Sequence, residues 1–533
     1  MRLKGFSCAA LLAAAALSAC GGGGSGGDNN NHNGGNGGAA VPPPTPVVPP
    51  AGAWLTITPS PIAISTYDGE SVAFSVTAKS SRIVEKPFNI AIIDGKSVVS
   101  TDVTVTSVSE LEYVAKLRTA SALALGTHTT NLEVRLCEDE PLVCNKPLPG
   151  SPWLVPLSVT VKPTTNLTAL NVLPGVAAWG TYQGNASHTG FVPASFSASK
   201  FERRWSAALS TQTPLNGIAV DNGVVFATRG GAFGEWTLLA ISEQTGQTLW
   251  SVNLGTLYRV NAPAAANGKV FVTSTGHGDT YFWIFDQTTG ALLGKTPMSS
   301  QWETYLAPTV YGDSVYTNSG SYGGLSKFRS ADASLEWFNG GLPQFDGWTP
   351  AVDATHAYGY LSGNLYAIRT ADGTNDFQIQ NPYYSWAGYT GAAVVLGKGI
   401  GYVSDAGRVL GFDLTTRTVA WSAENGALGQ PALANDVLYV AGAGGTTLEA
   451  RNPATGQPLW LVNLAHTQDE RFNNVVVTGS HAFLSSSERT VAVDLATRTV
   501  VWSLQSGGVL SISNRGVLYI VSTNGRLVAV NLQ

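Results

Sequence analysis

The feature that most constrains the fold is a ten-residue pattern that recurs along the second part of the chain and in most copies ends in tryptophan. The copies are ISEQTGQTLW (241–250), FDQTTGALLG (285–294), FRSADASLEW (328–337), IRTADGTNDF (368–377), FDLTTRTVAW (412–421), RNPATGQPLW (451–460) and VDLATRTVVW (493–502). An eighth copy begins at Val530, and successive copies start 37–44 residues apart. This spacing is typical of the four-stranded blades of a β-propeller.

A second series runs in phase with the first. A short apolar run with an aromatic residue lies 10–15 residues before each copy: Phe226, Phe271, Tyr316, Tyr358, Tyr402, Tyr439, Phe483 and Tyr519. Turn pairs such as Asn222-Gly223 supply the positive φ of tight hairpins. Two series in phase predict eight blades. The eighth copy lacks its last strand, so we expect the segment around Trp205 to close the ring by completing the sheet begun near residues 510–533.

The recurring pattern Gly-x-Leu-x-Ala-φ-Asp-x-x-Thr-Gly-x-x-φ-Trp resembles the pyrroloquinoline-quinone-type (PQQ-like) propeller repeat. The leader WGTYQGNASHTG (179–190) also resembles the start of many such propellers. The resemblance implies an eight-bladed PQQ-like β-propeller over residues 179–533, with the tryptophans docked between blades. Gly294 and Phe377 depart from the pattern. The superfamily includes quinoprotein dehydrogenases and the non-catalytic propeller lipoprotein of the outer-membrane β-barrel assembly machinery.

The amino terminus has the pattern of an export signal. Arg2 and Lys4 precede an apolar stretch that is too short to span a bilayer. The sequence LSAC (17–20) resembles the lipobox of bacterial lipoproteins, which implies a signal peptide over 1–19 and a lipid on Cys20. A secretory signal with a chance cysteine is the alternative. Residues 20–52, rich in Gly, Asn and Pro, predict a tether, and Gly21 favours anchoring in the outer membrane.

Residues 53–163 alternate between apolar and polar positions over some seven short strands, which predicts a β-sandwich. The stretch from Leu125 to Pro152 resembles bacterial immunoglobulin-like domains, and residues 164–178 are expected to be a linker. Cys137 and Cys144 are predicted to form a disulfide, because exported proteins meet an oxidising environment. A zinc site is the alternative for this pair.

Composition limits the function. Charged residues make up 12% of the chain, and 30 basic against 35 acidic residues give a net charge of −5. Nucleic acid is therefore not an expected partner, because its binding needs clustered basic side chains. The resemblance to quinoproteins implies a disulfide of adjacent cysteines, an Asp base and Ca²⁺ ligands, yet no cysteine follows Cys144. We expect no catalytic, cofactor or metal site.

What remains is a binding surface at one mouth of the propeller channel. The predicted face comprises Tyr258, Arg259, Trp302, Tyr305, Trp348, Trp386, Tyr389 and Arg471. Aromatic and Arg side chains are frequent interface anchors, although several of these could instead plug the channel. The prediction is a lipid-anchored envelope protein of the outer membrane whose propeller binds another envelope protein or complex, in outer-membrane protein assembly. The alternatives are a PQQ- and Ca²⁺-dependent oxidoreductase and a glycan-binding or adhesion protein.

Overall fold

The computed structural model describes residues 54–210, 213–276, 278, 280–301, 304–386, 388–464 and 470–533. Their regular structure is nearly all β-strand, apart from the 3₁₀ turns Tyr182–Gly184 and Ala198–Lys200. None of the helices in this part of the chain has the length and apolar character needed to span a membrane. The chain divides into two compact units, one ending at Thr164 and the other beginning at Thr165. The all-β prediction is confirmed.

The first unit is a sandwich of two four-stranded sheets. In pairing order, one sheet is Leu55–Thr58, Ala73–Ser80, Glu112–Arg118 and Thr104–Ser109, and the other is Ile62–Tyr67, Trp153–Lys162, Gly126–Cys137 and Asn89–Asp94. Alternate residues of each strand face the core, where Leu117 and Leu157 of opposite sheets are both buried. The structure has eight strands here rather than seven, because Ile62–Tyr67 pairs separately, in parallel, with Trp153–Lys162. The immunoglobulin-like kinship stays a prediction.

Cys137 ends a strand of this sandwich and is joined by a disulfide to Cys144. The carboxylate of Asp139 lies beside the two sulfurs. It accepts hydrogen bonds from the backbone N–H groups of Asn145 (2.9 Å) and Lys146 (3.0 Å). The paired sulfurs are not thiolates, which are the form of cysteine that binds zinc. The structure therefore gives this pair the role of closing a short loop.

The second unit is a propeller, with eight blades in the residues that the structure describes. Blade 1 is Ala219–Asp221, Val224–Arg229, Gly234–Ser242 and Thr248–Leu257; blade 2 is Arg259–Val260, Ala264–Ala266, Lys269–Thr275, Tyr281–Asp286 and Leu292–Pro297; blade 3 is Thr309–Tyr311, Ser314–Asn318, Leu325–Arg329 and Leu335–Asn339; blade 4 is Ala351–Val352, His356–Leu361, Asn364–Arg369 and Asn375–Gln380.

The remaining blades follow in chain order. Blade 5 is Val395–Gly397, Ile400–Asp405, Gly407–Asp413 and the start of Thr418–Ala434; blade 6 is the end of that strand, Val437–Gly442, Thr447–Arg451 and Pro458–Asn463; blade 7 is Asn474–Thr478, His481–Ser485, Thr490–Asp494 and Thr499–Leu504; blade 8 is Val509–Ile512, Val517–Val521, Arg526–Asn531 and Glu202–Ala208. The short strand Phe191–Val192 pairs in parallel with Asn474–Thr478.

The ring closes as predicted. Glu202–Ala208 pairs antiparallel with Arg526–Asn531, and Trp205 lies opposite Ala529. Arg204 is fully buried at this seam, and its guanidinium donates to Asn531 Oδ1 at 2.9 Å and to the carbonyl of Gln244 in blade 1 at 2.9 Å. The amino-terminal strand therefore joins the last blade to the first and leaves no open edge at the seam.

The recurring tryptophans fasten each blade to the next. Trp250 of blade 1 donates through Nε1 to the carbonyl of Gln287 in blade 2 at 3.2 Å, and Trp337 donates to Thr370 of the next blade at 3.1 Å. Each ring lies on the turn glycine of that next blade, Gly290 or Gly373, where an added Cβ would lie 2.8 or 2.6 Å from the ring. The Thr-Gly and the Trp of the repeat are thus the two halves of one contact.

At the two departures from the pattern, the facing turn residue of the neighbouring blade is not a glycine. Gly294 stands where the tryptophan is expected, and Ala333 stands at the facing glycine position, so the two backbones approach directly: a Cβ on Gly294 would lie 3.0 Å from that of Ala333. Phe377 faces Arg417, whose guanidinium carbon lies 4.5 Å from the ring centroid. Ala333 and Arg417 both adopt the positive φ of the glycines that they replace.

Replacing Gly373 by Ala tests this contact. Gly373 and Gly268 have nearly the same backbone, with φ of +75° and +76°, but a Cβ at Gly268 meets no atom within 4 Å. Both substitutions strain the backbone, and only Gly373→Ala also displaces Trp337. We expect Gly373→Ala to lower the free energy of unfolding by about 1–3 kcal/mol more than Gly268→Ala, the usual cost of overpacking, in urea unfolding. Equal losses of unfolding free energy in the two variants would contradict the contact between Trp337 and Gly373.

Candidate binding face and central channel

A leader segment, residues 179–192, crosses the inner strands of the propeller and contacts the blades in order. Backbone N–H groups of the inner strands donate to its carbonyls: Val220 to Trp179, Ala265 to Gly180, Val352 to Ala186, Leu396 to Ser187, Leu433 to Thr189 and Val477 to Gly190, all at 2.7–2.9 Å. The Thr181 hydroxyl donates to the carbonyl of Pro308, which precedes blade 3. One segment therefore sets the spacing of blades 1 to 7 around the channel.

His188 is the most deeply buried polar residue of this leader segment. Its Nδ1 lies 3.1 Å from the carbonyl oxygen of Val394 beside blade 5, and its Nε2 lies 3.1 Å from Thr309 Oγ1 of blade 3. The neutral ring donates from Nδ1 to the Val394 carbonyl, while the Thr309 hydroxyl beside Nε2 donates to the carbonyl of Pro350 at 2.7 Å. Burial lowers the pKa of His188 to about 3, although the hydrogen bond to Val394 acts in the opposite direction. His188 is a structural bridge between two blades.

The aspartates of the repeat turns are also structural. Asp286, Asp413 and Asp494 each accept hydrogen bonds from backbone N–H groups two and three residues later. These bonds hold the pKa of all three carboxyls below the ordinary value; for Asp286 the largest contribution is the Thr289 hydroxyl, and for Asp413 and Asp494 it is a backbone N–H. Carboxylates fixed in this way stabilise their own turns.

One feature expected of a site for a quinone and its calcium ion, the disulfide of adjacent cysteines, is missing from the propeller sequence. The propeller has no cysteine for a disulfide over the quinone ring. In the described part of the chain, the His, Cys, Asp and Glu side chains that converge in a group of three are those of Cys137, Asp139 and Cys144, in the other unit. We therefore derive no chemical step through a quinone.

The mouth of the propeller is the end where the hairpins between second and third strands meet the connections from blade to blade. This end presents exposed aromatic rings. Phe233 is 65% exposed and Tyr322 83%, both in hairpins, while Trp386 is 64% and Tyr389 67% exposed in the connection from blade 4 to blade 5. Solvent-exposed rings gathered at one end of a protein are typical of interaction sites.

Two of these rings, Trp386 and Tyr389, are in contact, and Tyr383 of the same connection is also exposed, at 55%. We call Tyr383, Trp386 and Tyr389 the aromatic platform. Trp386 and Tyr389 meet edge to face with centroids 5.8 Å apart, and Tyr389 contacts the buried Phe345 at 5.7 Å. The guanidinium carbon of Arg408 lies 4.6 Å from the centroid of Tyr383 and its Nη2 lies 2.6 Å from Glu424. Fixed rings lose little conformational freedom on binding, which favours recognition.

Side-chain amides of Asn and Gln form hydrogen bonds with the backbone of the connections between blades at the mouth. Asn216 donates to the carbonyl of Val260 at 2.8 Å, Asn318 to that of Trp348 at 2.8 Å, and Gln430 to that of Ala393 at 3.2 Å. Asn261 Oδ1 accepts from the N–H of Tyr305, and Asn474 Oδ1 from that of Leu510. Sequence reasoning missed these residues, although four of them lie nine or ten positions before a recurring aromatic.

The structure divides the described residues of the predicted face into exposed, half-buried and buried groups. Trp386, Tyr389 and Arg471 are exposed; Tyr258 and Arg259 are half-buried, with Tyr258 packed on Phe233 at 5.1 Å; and Trp302 lies outside the described residues. Tyr305 and Trp348 are buried, at 5% and 2% exposure. For these two the prediction of a surface role is corrected. The Trp348 ring packs over Gly359, and its Nε1 donates to the carbonyl of Phe345 at 3.0 Å.

Sequence reasoning also missed Phe233 and Tyr322. Both lie among glycines, in the stretches GGAFG (230–234) and GSYGG (320–324), between the second and third strands of their blades. A ring carried by a glycine-rich hairpin has few neighbours to cover it. This local pattern was the available signal for an exposed aromatic residue at the mouth.

Comparisons with known proteins agree with this architecture. The sequence pattern of the family described as outer membrane protein assembly factor BamB matches residues 190–380 and 342–533. Among solved structures, BamB from Moraxella catarrhalis is similar with a TM-score of 0.51 at 16% identity, covering 62% of this chain and 99% of that one. Quinohemoprotein alcohol dehydrogenase from Comamonas testosteroni is similar with a TM-score of 0.53 at 14% identity, covering 66% of this chain and 80% of that one. At these identities the likeness shows the fold alone. No curated protein sequence matches the chain.

The buried imidazole of His188 predicts a pH dependence of propeller stability. The unfolded chain takes up a proton near pH 6.5, whereas the folded protein takes it up only near pH 3. Stability should therefore fall between these values by up to about 1.4 kcal/mol per pH unit from this group. His188→Gln keeps a donor and an acceptor but does not titrate, so its loss between pH 6 and pH 4 should be smaller. The measurement is urea unfolding followed by tryptophan fluorescence, and parallel losses in both proteins would contradict it.

Proposed function

The chain belongs to the outer membrane protein assembly factor BamB family, and from this membership we propose that its propeller is a non-catalytic binding module that acts in the assembly of outer-membrane proteins. The observation that carries the proposal is the aromatic platform, exposed at the mouth of a propeller whose sequence has no cysteine for the disulfide expected of a quinoprotein. The proposed partner is another protein of the cell envelope. The family supplies the biological setting, and the platform supplies the binding surface.

The platform has the character of a protein-binding site. Large exposed rings gain free energy when a partner removes them from water, and Trp and Tyr are enriched among the residues that dominate interface energies. Arg408, which lies beside Tyr383, is already paired with Glu424. A partner with apolar side chains fits this surface better than a strongly charged one.

We propose that the chain is held at the outer membrane by lipid on Cys20, with residues 20–52 as a tether; these residues lie outside the described part of the chain. Membership of the family supports an envelope location. A lipidated amino terminus and a long tether would leave the mouth free to reach a membrane-embedded partner.

A double substitution tests the platform. Trp386→Ser with Tyr389→Ser should leave the melting temperature within about 2 °C, because both rings are exposed. Capture of the partner, identified by a photocrosslinking residue placed at position 383 in intact cells, should fall at least tenfold, because interface aromatics are often worth 2 kcal/mol or more. The control is Leu249→Ser with Leu459→Ser, which removes equally exposed apolar side chains from outer strands.

The outcomes separate the alternatives. A crosslinked envelope protein that is lost in the platform variant and kept in the control supports the proposal. Binding of a polysaccharide instead would favour the glycan-binding alternative. Quinone- and Ca²⁺-dependent dye reduction by the purified protein would favour an oxidoreductase. Undiminished capture by the platform variant would move the interface away from the mouth.

Lipidation is tested separately. Labelled palmitate should enter the wild-type protein and not Cys20→Ala, because the thiol is the group that is alkylated. Membrane fractionation should then release the variant into the soluble envelope fraction. Equal labelling of both proteins would contradict an anchor at this residue.

A further inference from the structure

The sandwich unit contains a cavity of about 210 Å³ between its two sheets. Its wall is almost entirely apolar and takes residues from both sheets, including Ala78 and Ala115 on one side and Ile90 on the other. Well-packed protein cores leave few voids larger than a water molecule. This one is larger than an engineered apolar cavity of 150 Å³ that stays dry and binds benzene.

Aromatic rings form one part of the wall. Phe88 and Tyr113 meet edge to face with centroids 6.0 Å apart. Trp54 is held in place by an Nε1 hydrogen bond to the carbonyl of Pro149 at 2.6 Å and by edge-to-face contact with Trp153 at 5.4 Å. Fixed rings offer faces and edges that favour another aromatic ring over a saturated chain.

The cavity reaches the surface. Ile83, which lines it, is 59% exposed, and the exposed Glu110 lies on the same wall. Ala78 and Ala115 have small side chains, so they leave the cavity open. Larger apolar residues at these two positions would fill it. A ligand therefore has a route in, and the wall leaves room for it.

We propose that this cavity is a binding site for an uncharged aromatic group of one or two rings. The volume sets the size, the apolar side chains of the wall disfavour a charged group because its one ionic residue, Glu110, is exposed at the rim, and the three rings select for aromatic character. The site is independent of the propeller and of the function proposed for the mouth.

The test uses the full-length purified protein and 4-fluorotoluene as the probe, observed by ¹⁹F NMR line broadening. Wild type should bind it. Ala115→Leu, which fills the cavity, should weaken binding at least tenfold, and Ala63→Leu, the same change at an exposed position of the same sandwich, should not. Nuclear Overhauser contacts from the probe to ¹³C-labelled Ile90 and Ile92 methyl groups should place it between the sheets.

Each result decides the proposal. If Ala115→Leu fails to fold, Ala78→Leu fills the same space from the neighbouring strand, and the Overhauser contacts in wild type locate the probe without any variant. No broadening by wild type, equal binding by filled and control variants, or contacts outside the sandwich would overturn the site. Binding of n-heptane with displacement of 4-fluorotoluene at equal concentration would overturn its aromatic selectivity.

Discussion

The contact between a ring and a turn of the next blade is the interaction on which the propeller depends. Each blade is a small sheet that cannot bury both of its faces alone. The stability of the whole propeller therefore depends on the packing of each blade against its neighbours. Trp250 on Gly290 and Trp337 on Gly373 show the common form. Where the chain departs from it, the neighbouring turn changes as well: Gly294 meets Ala333, and Phe377 lies under Arg417. What the blade contacts share is that the space between neighbouring blades is filled, although the residues that fill it differ.

The leader segment adds a second constraint, because it bonds to the inner strands of successive blades. Its buried polar groups, such as His188 and Thr181, would carry a desolvation cost without partners, and each finds one on a different blade. A binding surface at the mouth gains from this arrangement. The connections that carry its rings lead into inner strands whose spacing is already set. Asn216, Asn318 and Gln430 fix the backbones of these connections further.

Much of the fold could be predicted because the repeat carries information eight times over. The blade boundaries and the closing role of the strand at Trp205 follow from residue spacing alone. The face of the mouth could be predicted only in part, since spacing places a residue in a connection without saying which way its ring turns. Trp348 and Trp386 lie in similar connections, yet Trp348 packs over Gly359 and Trp386 faces solvent. Trp348 can be buried because Gly359, eleven residues away on a neighbouring strand, leaves room for its ring.

The closing strand has a consequence for how the protein matures. Glu202–Ala208 pairs with Arg526–Asn531, so the first strand of the propeller can pair only after the last has been made. A chain that crosses a membrane from its amino terminus onward cannot complete blade 8 until its final residues have emerged. Until then the amino-terminal strand and the edge that it will cover are both unpaired, and unpaired edges invite aggregation. The propeller therefore closes only when residues 526–531 are available to pair with residues 202–208.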